Sequence, residues 1–117
     1  MNTWIHWRTT KTMNSEDLLP YRLGDRAAKN LKKIRKTDRV LYDKVNHMIT
    51  AIRLDPSIGE DKKGDLKGYS CVDINHLRTN YELCYTLEED KNGELILVVM
   101  VGPRENFYED LKRYLNL

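Results

Sequence analysis

The residues best suited to chemistry stand where an apolar strand ends. Seven unbroken apolar residues, 95–101, stop at Gly102-Pro103, and Arg104 and Tyr108 follow before a short amphipathic run. An arginine there can hold an anion such as a phosphate. The alternative is a joint, in which Arg104 caps or salt-bridges the last helix while Phe107 and Tyr108 seat that helix on the sheet. The sequence leaves both interpretations open.

Two amphipathic helices precede the strands that must position these residues. In residues 25–36 the apolar side chains recur at helical spacing, at Ala27, Leu31 and Ile34. Asp38 is the expected cap of a second helix, because its carboxylate can accept the first free amide hydrogens. Asp55-Pro56 ends this helix, whose apolar positions are Leu41, Val45, Met48 and Ile52. The pattern predicts an antiparallel helical hairpin.

Beyond a charged, glycine-containing loop at residues 56–68, the hydrophobic period changes to 2, which is typical of strands. Two strands are predicted, with a turn at Thr79-Asn80. The apolar face of this hairpin carries Val72, Ile74, His76, Tyr81, Leu83, Tyr85 and Leu87. The polar face carries Asp73, Asn75, Glu82, Cys84 and Thr86. Residues 95–101 predict a central strand covered on both faces, and residues 21–23 are an optional further strand.

The composition narrows the class of protein. The chain has 117 residues, enough for one domain with a real core, and a formal net charge of +2. It has no apolar run long enough for a signal peptide or a membrane span. A short hairpin is expected to put Cys71 and Cys84 on opposite faces or out of register, so no disulfide is predicted. No metal and no cofactor are expected, and a reducing cytoplasm is the predicted location.

Positive charge is concentrated on the first predicted helix. Six cations occur within eleven residues, a density that could hold RNA or serve only as a solvated face: Lys29, Lys32, Lys33, Arg35, Lys36 and Arg39. Lys62, Lys63 and Lys67 of the charged loop, with Arg78 near the hairpin turn, are candidates for a phosphate-binding rim. A solvated charged loop is the more common interpretation of such residues.

The first nineteen residues stand apart from the rest of the chain. Trp4 and Trp7 make this segment too apolar for a free tail, so it is expected to pack on the domain or on a partner. No helix or strand is predicted in it. The expected organisation is an N-terminal extension at residues 1–19 and a single domain at residues 20–117.

From about Tyr21 to the C-terminus the chain resembles the RelE/ParE superfamily of bacterial toxins. The resemblance rests on the order of elements and on the segments "LKG", "YELCY" and "VGPRENFYEDLKRYL". It implies an α+β fold: an N-terminal helical hairpin packed on a small antiparallel sheet of three to four strands, with a short C-terminal helix. It also implies a protein partner, an antitoxin that covers much of the toxin.

For the RelE branch the resemblance implies cleavage of messenger RNA on the ribosome. A ribose 2′-hydroxyl attacks its own 3′-phosphate, which requires a proton acceptor, cations and a proton donor. Arg104 and Tyr108 match the arginine and tyrosine that follow the family's last strand. The family's two lysines fall near Asp73 and Asn75 or their neighbours, and Glu82 stands where the family has its second arginine. Two unit charges about 4 Å apart interact by roughly 4 kcal/mol at an effective dielectric near 20, so an ionised Glu82 repels a phosphate.

Other branches of the superfamily use histidine and carboxylates in place of lysine. This makes His76, Asp73 and Glu82 candidate acid–base groups, with Arg104 as the electrophile. Histidine suits the role because its ordinary pKa of about 6.5 lies near working pH. His76 is more often a strand-end residue making one hydrogen bond, and an exposed strand glutamate such as Glu82 is common.

Three functions follow from these observations. The first is a RelE-like toxin with a degenerate active site, acting on messenger RNA and the ribosome through Arg104 and Tyr108. The second is a catalytically inactive protein that binds an antitoxin, another toxin or a regulator, with Trp4, Trp7, Asp73 and Asn75 as candidate contacts. The third, a ParE-like inhibitor of DNA gyrase, needs no nuclease residues, and nothing in the sequence selects it.

Overall fold

The structure is a computed structural model that describes residues 18–117. The candidate contacts Trp4 and Trp7 lie outside the described residues. The elements in chain order are β1 (Tyr21–Leu23), α1 (Asp25–Thr37), α2 (Arg39–Leu54), β2 (Glu60–Asp61), β3 (Ser70–His76), β4 (Thr79–Asp90), β5 (Gly93–Pro103) and α3 (Phe107–Leu115). Two single 3₁₀ turns, Pro56–Ile58 and Gly64–Leu66, flank β2.

The five strands form one sheet in the order β1-β5-β4-β3-β2. β1 runs parallel to β5, whereas the other neighbours are antiparallel. The predicted α+β class is confirmed, with a sheet that is mixed and slightly larger than expected. The strand that the sequence missed is β2, because two residues are too few to show a period in a charged loop.

The helical hairpin packs on one face of the sheet, as predicted. Its buried side chains meet the apolar face of the β3–β4 hairpin in a core that includes Ala27, Leu31, Leu41, Val45, Ile49, Ile52, Val72, Ile74, Leu83 and Tyr85. Asp38 is the cap of α2, and its carboxylate accepts a hydrogen bond from the Leu41 amide at 3.1 Å. Within residues 18–117, none of the helices has the length and apolar character needed to cross a membrane.

α3 covers a smaller apolar cluster on the opposite face of the sheet. Its members are Leu66, Cys71, Cys84, Val99, Met100, Phe107 and Leu111. The pairing of β4 with β5 shifts here, because Cys84 pairs with Met100 while the next residue, Tyr85, pairs with Val98. Residues of β5 pack into both cores because both faces of the strand are covered, which explains why it is apolar at every position; the bulge adds one residue to this alternation.

The β3–β4 turn lies at Leu77-Arg78, and the predicted turn at Thr79-Asn80 is wrong. Leu77 adopts the left-handed backbone conformation, with φ of 54°, which is uncommon for a residue other than glycine and is not expected of leucine. The observed register differs from the predicted one by four residues, an even number, so the predicted division into two faces survives.

The two cysteines show the consequence of this register. Cys71 pairs directly with Cys84 on the face that α3 covers, and both are free, buried thiols. The expectation that they lie on opposite faces or out of register is therefore wrong.

Candidate functional site

Glu82 lies in the middle of β4, on the face of the sheet away from the helical hairpin, and only 3% of its surface is exposed. It borders a pocket of about 560 Å³ at the β2 and β3 side of the sheet. The other polar residues around this pocket are Glu60, Lys62, Asp73, Arg104 and Tyr108. The structure thus brings together three residues that the sequence proposed for catalysis: Glu82, Arg104 and Tyr108.

Arg104 and Tyr108 reach Glu82 because the chain turns sharply after β5. The Arg104 amide donates to the Asn80 carbonyl at 2.9 Å, which fixes the start of the turn beside β4. Asn106 then takes the left-handed conformation, with φ of 62°, and α3 begins at Phe107. The Tyr108 hydroxyl donates to Oε1 of Glu82 at 3.0 Å. The turn between β5 and α3 therefore places both Arg104 and Tyr108 at the border of the pocket.

Arg104 is the loosest member of this group. Its Nε lies 3.7 Å from Oε2 of Glu82, beyond ordinary hydrogen-bond distance, and 61% of its side chain is exposed. A guanidinium held this weakly can turn to an anion in the pocket without breaking a strong contact. Its position therefore suits the binding of a phosphate group.

The strand register explains why Glu82 faces a second carboxylate. Because the Asn80 carbonyl points toward β5, alternation turns the backbone groups of Glu82 toward β5 as well. Glu82 and its partner Asp73 therefore form a pair without hydrogen bonds between them on the β3–β4 ladder. Such pairs have Cα atoms about 4.5 Å apart and the closest side chains in an antiparallel sheet.

Burial, together with the neighbouring Asp73, raises the pKa of Glu82 to about 7. The Tyr108 hydroxyl and the positive charge of Arg104 act in the opposite direction and only partly offset this increase. Glu82 is therefore divided between its acid and its carboxylate near neutral pH. A carboxyl group with such a pKa can accept or donate a proton under physiological conditions.

Lys62 is the one residue of the predicted phosphate-binding rim that borders this pocket in the described part of the chain, and the sequence did not connect it with Glu82. Its side chain is 20% exposed, its Nζ donates to Oε1 of Glu60 at 2.7 Å, and Nζ lies 4.8 Å from the centre of the Tyr108 ring. The hydrogen bond with Glu60 raises the pKa of Lys62, so the side chain remains a cation. No local pattern indicates this placement, because it depends on the two-residue strand β2 and its pairing with β3.

The structure does not bring His76 to this pocket. His76 is 5% exposed and lies on the opposite face of the same hairpin, where its Nε2 is 2.7 Å from Oδ2 of Asp38. The Leu41 amide and this contact with His76 lower the pKa of Asp38. His76 thus joins β3 to the cap of α2, and its place matches the interpretation as a strand-end residue making one hydrogen bond.

Asp73 and Asn75 lie along a strand edge. β2 pairs only with Ser70 and Cys71, so among the described residues no strand pairs with the outer edge of β3 from Val72 onward. Asp73 borders the Glu82 pocket, while the Asn75 carbonyl accepts a hydrogen bond from Nζ of Lys44 at 3.1 Å. The two residues are exposed, as a partner surface requires.

The basic residues divide among several surfaces. All six cations of the first helix region are exposed, and Arg35 and Arg39 lie over the Tyr42 ring at 5.8 and 5.5 Å. Lys67 borders a separate depression beside Tyr69 and Thr86, and Arg78 stands in the β3–β4 turn. Neither Lys67 nor Arg78 borders the Glu82 pocket.

Two further observations bear on alternative sites within residues 18–117. No group of three or more His, Cys, Asp and Glu side chains is arranged to hold a metal ion in this part of the chain.

Another groove, of about 430 Å³, lies between α1, the end of β5 and α3 and is bordered by Arg26, Lys33, Glu105 and Asp110. None of the residues that the sequence proposed for catalysis borders this groove, whereas three of them meet at the Glu82 pocket, which is therefore the better candidate for chemistry.

Solved structures of bacterial toxins share this fold. A YoeB/ParE toxin from Agrobacterium tumefaciens has a TM-score of 0.62 at 18% identity, covering 74% of this chain and 99% of that one. A RelE variant from E. coli in the free state has a TM-score of 0.60 at 14% identity, covering 82% and 92%. The toxin–antitoxin complex RelBE2 from Mycobacterium tuberculosis matches with a TM-score of 0.54 at 20% identity, covering 74% and 99%.

No curated protein is similar enough in sequence to match this chain. The model of a protein family does match, over residues 22–112, and its description is the ParE-like toxin of type II bacterial toxin–antitoxin systems. The matched range contains both helices of the hairpin, all of β2–β5 and the Glu82 pocket. The chain therefore belongs to the ParE-like toxin family of type II bacterial toxin–antitoxin systems.

Proposed function

We propose that this toxin interferes with translation by cleaving messenger RNA on the ribosome, with Glu82 as the proton acceptor. The observation that carries the proposal is the shared pocket of Glu82, Arg104 and Tyr108, in which the pKa of Glu82 is about 7. A general base works best when its pKa lies near the operating pH. The pocket thus supplies a base in a position where the family pattern has a cation.

In the proposed reaction the ribose 2′-hydroxyl loses its proton to Glu82 and its oxygen attacks the adjacent phosphorus. A new bond forms between the 2′-oxygen and phosphorus, and the bond to the 5′-oxygen of the next nucleotide breaks. That oxygen takes up a proton from water, which the open pocket admits. Arg104 turns toward the phosphate and stabilises the negative charge that develops on it.

Tyr108 is assigned a positioning role. Its hydroxyl donates to Oε1 of Glu82, and burial raises the pKa of Tyr108, so the phenol stays protonated. A fixed donor on one carboxylate oxygen leaves the other oxygen to accept the substrate proton. Phe107 packs edge-on against the Tyr108 ring at 5.3 Å between centroids, which holds the ring in place.

The repulsion between Glu82 and a phosphate is smaller than its formal charge implies. With a pKa of about 7, roughly half of the molecules carry a neutral Glu82 at neutral pH. The guanidinium of Arg104 also lies beside Oε2 of Glu82. The anion at position 82 is therefore compatible with a phosphate bound on the Arg104 side of the pocket.

The remaining partners follow from the surface. The exposed lysines of α1 supply positive charge for ribosomal RNA, outside the Glu82 pocket. An antitoxin is the expected protein partner, and a protein that acts on ribosomes in this way acts in the cytoplasm. Lys67 and Arg78 remain candidates for contacts with RNA outside the pocket.

The test is induced expression in a bacterial host, with growth and messenger RNA ends followed in the same cultures. The wild type should arrest growth and produce new message ends at codon-spaced positions. Glu82→Gln and Arg104→Ala should grow normally and leave messages intact. Glu89→Gln, an exposed glutamate on the same strand, is the matched control and should behave as the wild type. Arrest without new message ends would contradict the proposal.

A second candidate function is supported by the outer edge of β3, with which no strand of residues 18–117 pairs from Val72 onward. In a catalytically inactive protein, Asp73 and Asn75 on this edge would pair with an extended segment of another protein, since unpaired strand edges bind such segments. Normal growth of cells that express soluble, folded wild-type protein would favour this function. A partner that protects the amides of Asp73 and Asn75 from hydrogen exchange would then establish it.

A further inference from the structure

The pocket contains a cation that comes from a different strand than the family pattern predicts. Lys62 directly follows β2, and its amide donates to the Tyr69 carbonyl at 2.9 Å, which extends the contact between β2 and the segment before β3. This backbone contact places the Lys62 side chain on the sheet face that carries Glu82. Its Nζ lies 4.8 Å from the centre of the Tyr108 ring.

A phosphate in this pocket requires more positive charge than Arg104 alone supplies, and Lys62 can provide it. Among residues 18–117, three carboxyl groups border it, from Glu60, Asp73 and Glu82, together with two cations, Lys62 and Arg104. Attack on a phosphodiester adds negative charge to the phosphate oxygens, and enzymes of this kind place more than one cation around them. Arg104 can cover one side of such a phosphate, because it projects from the end of β5.

We propose that Lys62 binds the scissile phosphate and supplies from β2 the positive charge that β3 lacks. The proposal rests on the function proposed above. It assigns Lys62 a catalytic role that positions 73, 75 and 82 cannot perform in this chain. The substrate group is a phosphodiester oxygen, on the side of the phosphate away from Arg104.

The contact between Lys62 and Glu60 does not prevent this role. Glu60 is 78% exposed, and an ion pair with such an exposed partner contributes little, typically about 0–1 kcal/mol. A phosphate in the pocket can therefore displace Glu60 from Nζ. The Tyr108 ring offers a second, cation–π contact, which keeps the ammonium group at the pocket.

Four variants and two assays test the role of Lys62. The variants are Lys62→Met, which keeps the length of the side chain without its charge, Lys62→Arg, Lys91→Met and Arg104→Ala. Lys91→Met is the matched control, since Lys91 is an exposed lysine in the turn between β4 and β5 and lies outside the pocket lining. The first assay is single-turnover cleavage of messenger RNA on purified ribosomes. The second is titration of each purified protein with adenosine 3′-monophosphate, followed by NMR of the Tyr108 ring.

We expect Lys62→Met to lower the cleavage rate at saturating ribosomes by about 10²- to 10³-fold, as for loss of one group that stabilises transition-state charge. The ribosome concentration at half-maximal rate should change less than about twofold, because α1 supplies that affinity. Lys62→Arg should recover most of the rate. Lys62→Met should also weaken binding of adenosine 3′-monophosphate by about tenfold or more. Thermal melting of each variant identifies any loss of folding.

The two assays separate failure of this inference from failure of the proposed function. Equal cleavage by wild type and Lys62→Met, with an inactive Arg104→Ala, overturns the role of Lys62 and leaves the function intact. Absence of cleavage by the wild type overturns the proposed function. Equal affinity of wild type and Lys62→Met for adenosine 3′-monophosphate overturns phosphate binding by Lys62, whether or not the wild type cleaves.

Discussion

His76 and Glu82 are both buried polar residues of one hairpin, and they face opposite sides of the sheet. Their exposed fractions are nearly equal, 5% and 3%. His76 meets one carboxylate, that of Asp38, which is itself held by the first turn of α2. Glu82 meets another acid, Asp73, and a loosely held arginine at the border of an open pocket. Burial is common to both, and only the balance of neighbouring charge differs.

This difference in neighbouring charge indicates which of the two buried groups is suited to chemistry. The Asp38–His76 pair matches a carboxylate with an imidazole, and lowering the pKa of Asp38 stabilises the folded protein. The ionised form of Glu82 is disfavoured by burial and by Asp73, so the folded protein holds this group in a reactive state. A group whose folded environment opposes its charge is a better functional candidate than one whose environment satisfies it.

The largest expected effect is on the rate of messenger RNA cleavage, which should depend on Glu82 and not on His76. Glu82→Gln keeps the shape of the side chain but cannot accept a proton, so single-turnover cleavage on ribosomes should fall by about 10²- to 10⁴-fold. His76→Gln should leave cleavage by the folded protein within about threefold of the wild type, because His76 lies on the other face. An equal loss of rate in both variants would contradict the division of roles.

The second effect is on stability, for which His76 should matter more than Glu82. His76→Ala removes one partner of a buried contact and leaves a cavity, so the free energy of unfolding should fall by about 1–3 kcal/mol. Urea denaturation measures the change, with Asp43→Asn on the exposed side of α2 as a control. Glu82→Gln should not destabilise the protein at pH 8, and a loss comparable to that of His76→Ala would show that Glu82 is structural.

The smallest effect is a pH dependence of stability that has opposite signs for the two sites. The pKa of Glu82 is raised in the folded protein, so its contribution is present below its ordinary value of 4.5 and is lost as the pH rises through about 7. The pKa of Asp38 is lowered, so its contribution is present above its ordinary value of 3.8 and is lost as the pH falls. The two carboxyl groups therefore favour stability in different pH ranges.

Urea denaturation at several pH values can separate these contributions. Between pH 4.5 and 7 the wild type should lose roughly 2 kcal/mol relative to Glu82→Gln. Below pH 4 the wild type should lose its advantage over Asp38→Asn. Parallel curves for wild type and Glu82→Gln from pH 4.5 to 7 would show that Glu82 ionises with an ordinary pKa.

Local patterns in the sequence predict the helices, the two faces of the hairpin and the cap at Asp38. These features depend on residues a few positions apart, and helical or strand periodicity records them directly. The proximity of Arg104 and Tyr108 is likewise local, because Arg104 lies in the short turn after β5 and Tyr108 in the first turn of the helix that follows.

The features that the sequence could not supply depend on long-range register. The turn at Leu77-Arg78 rests on a left-handed leucine, which no turn signal marks. That turn decides that Asp73 faces Glu82, which in turn raises the pKa of Glu82. Lys62 reaches the pocket only because β2 pairs with β3. Each of these contacts joins segments that are distant in the sequence, and local hydrophobic periodicity does not record which distant segments meet.

The most direct test of the central role of Glu82 is the pH dependence of single-turnover messenger RNA cleavage on ribosomes. With Glu82 as the base, the wild-type rate should rise with pH and level off above an apparent pKa near 7. In Glu82→Gln the residual rate should be low and should lack this step. A wild-type step near pH 7 that persists at full rate in Glu82→Gln would contradict the assignment of Glu82 as the proton acceptor.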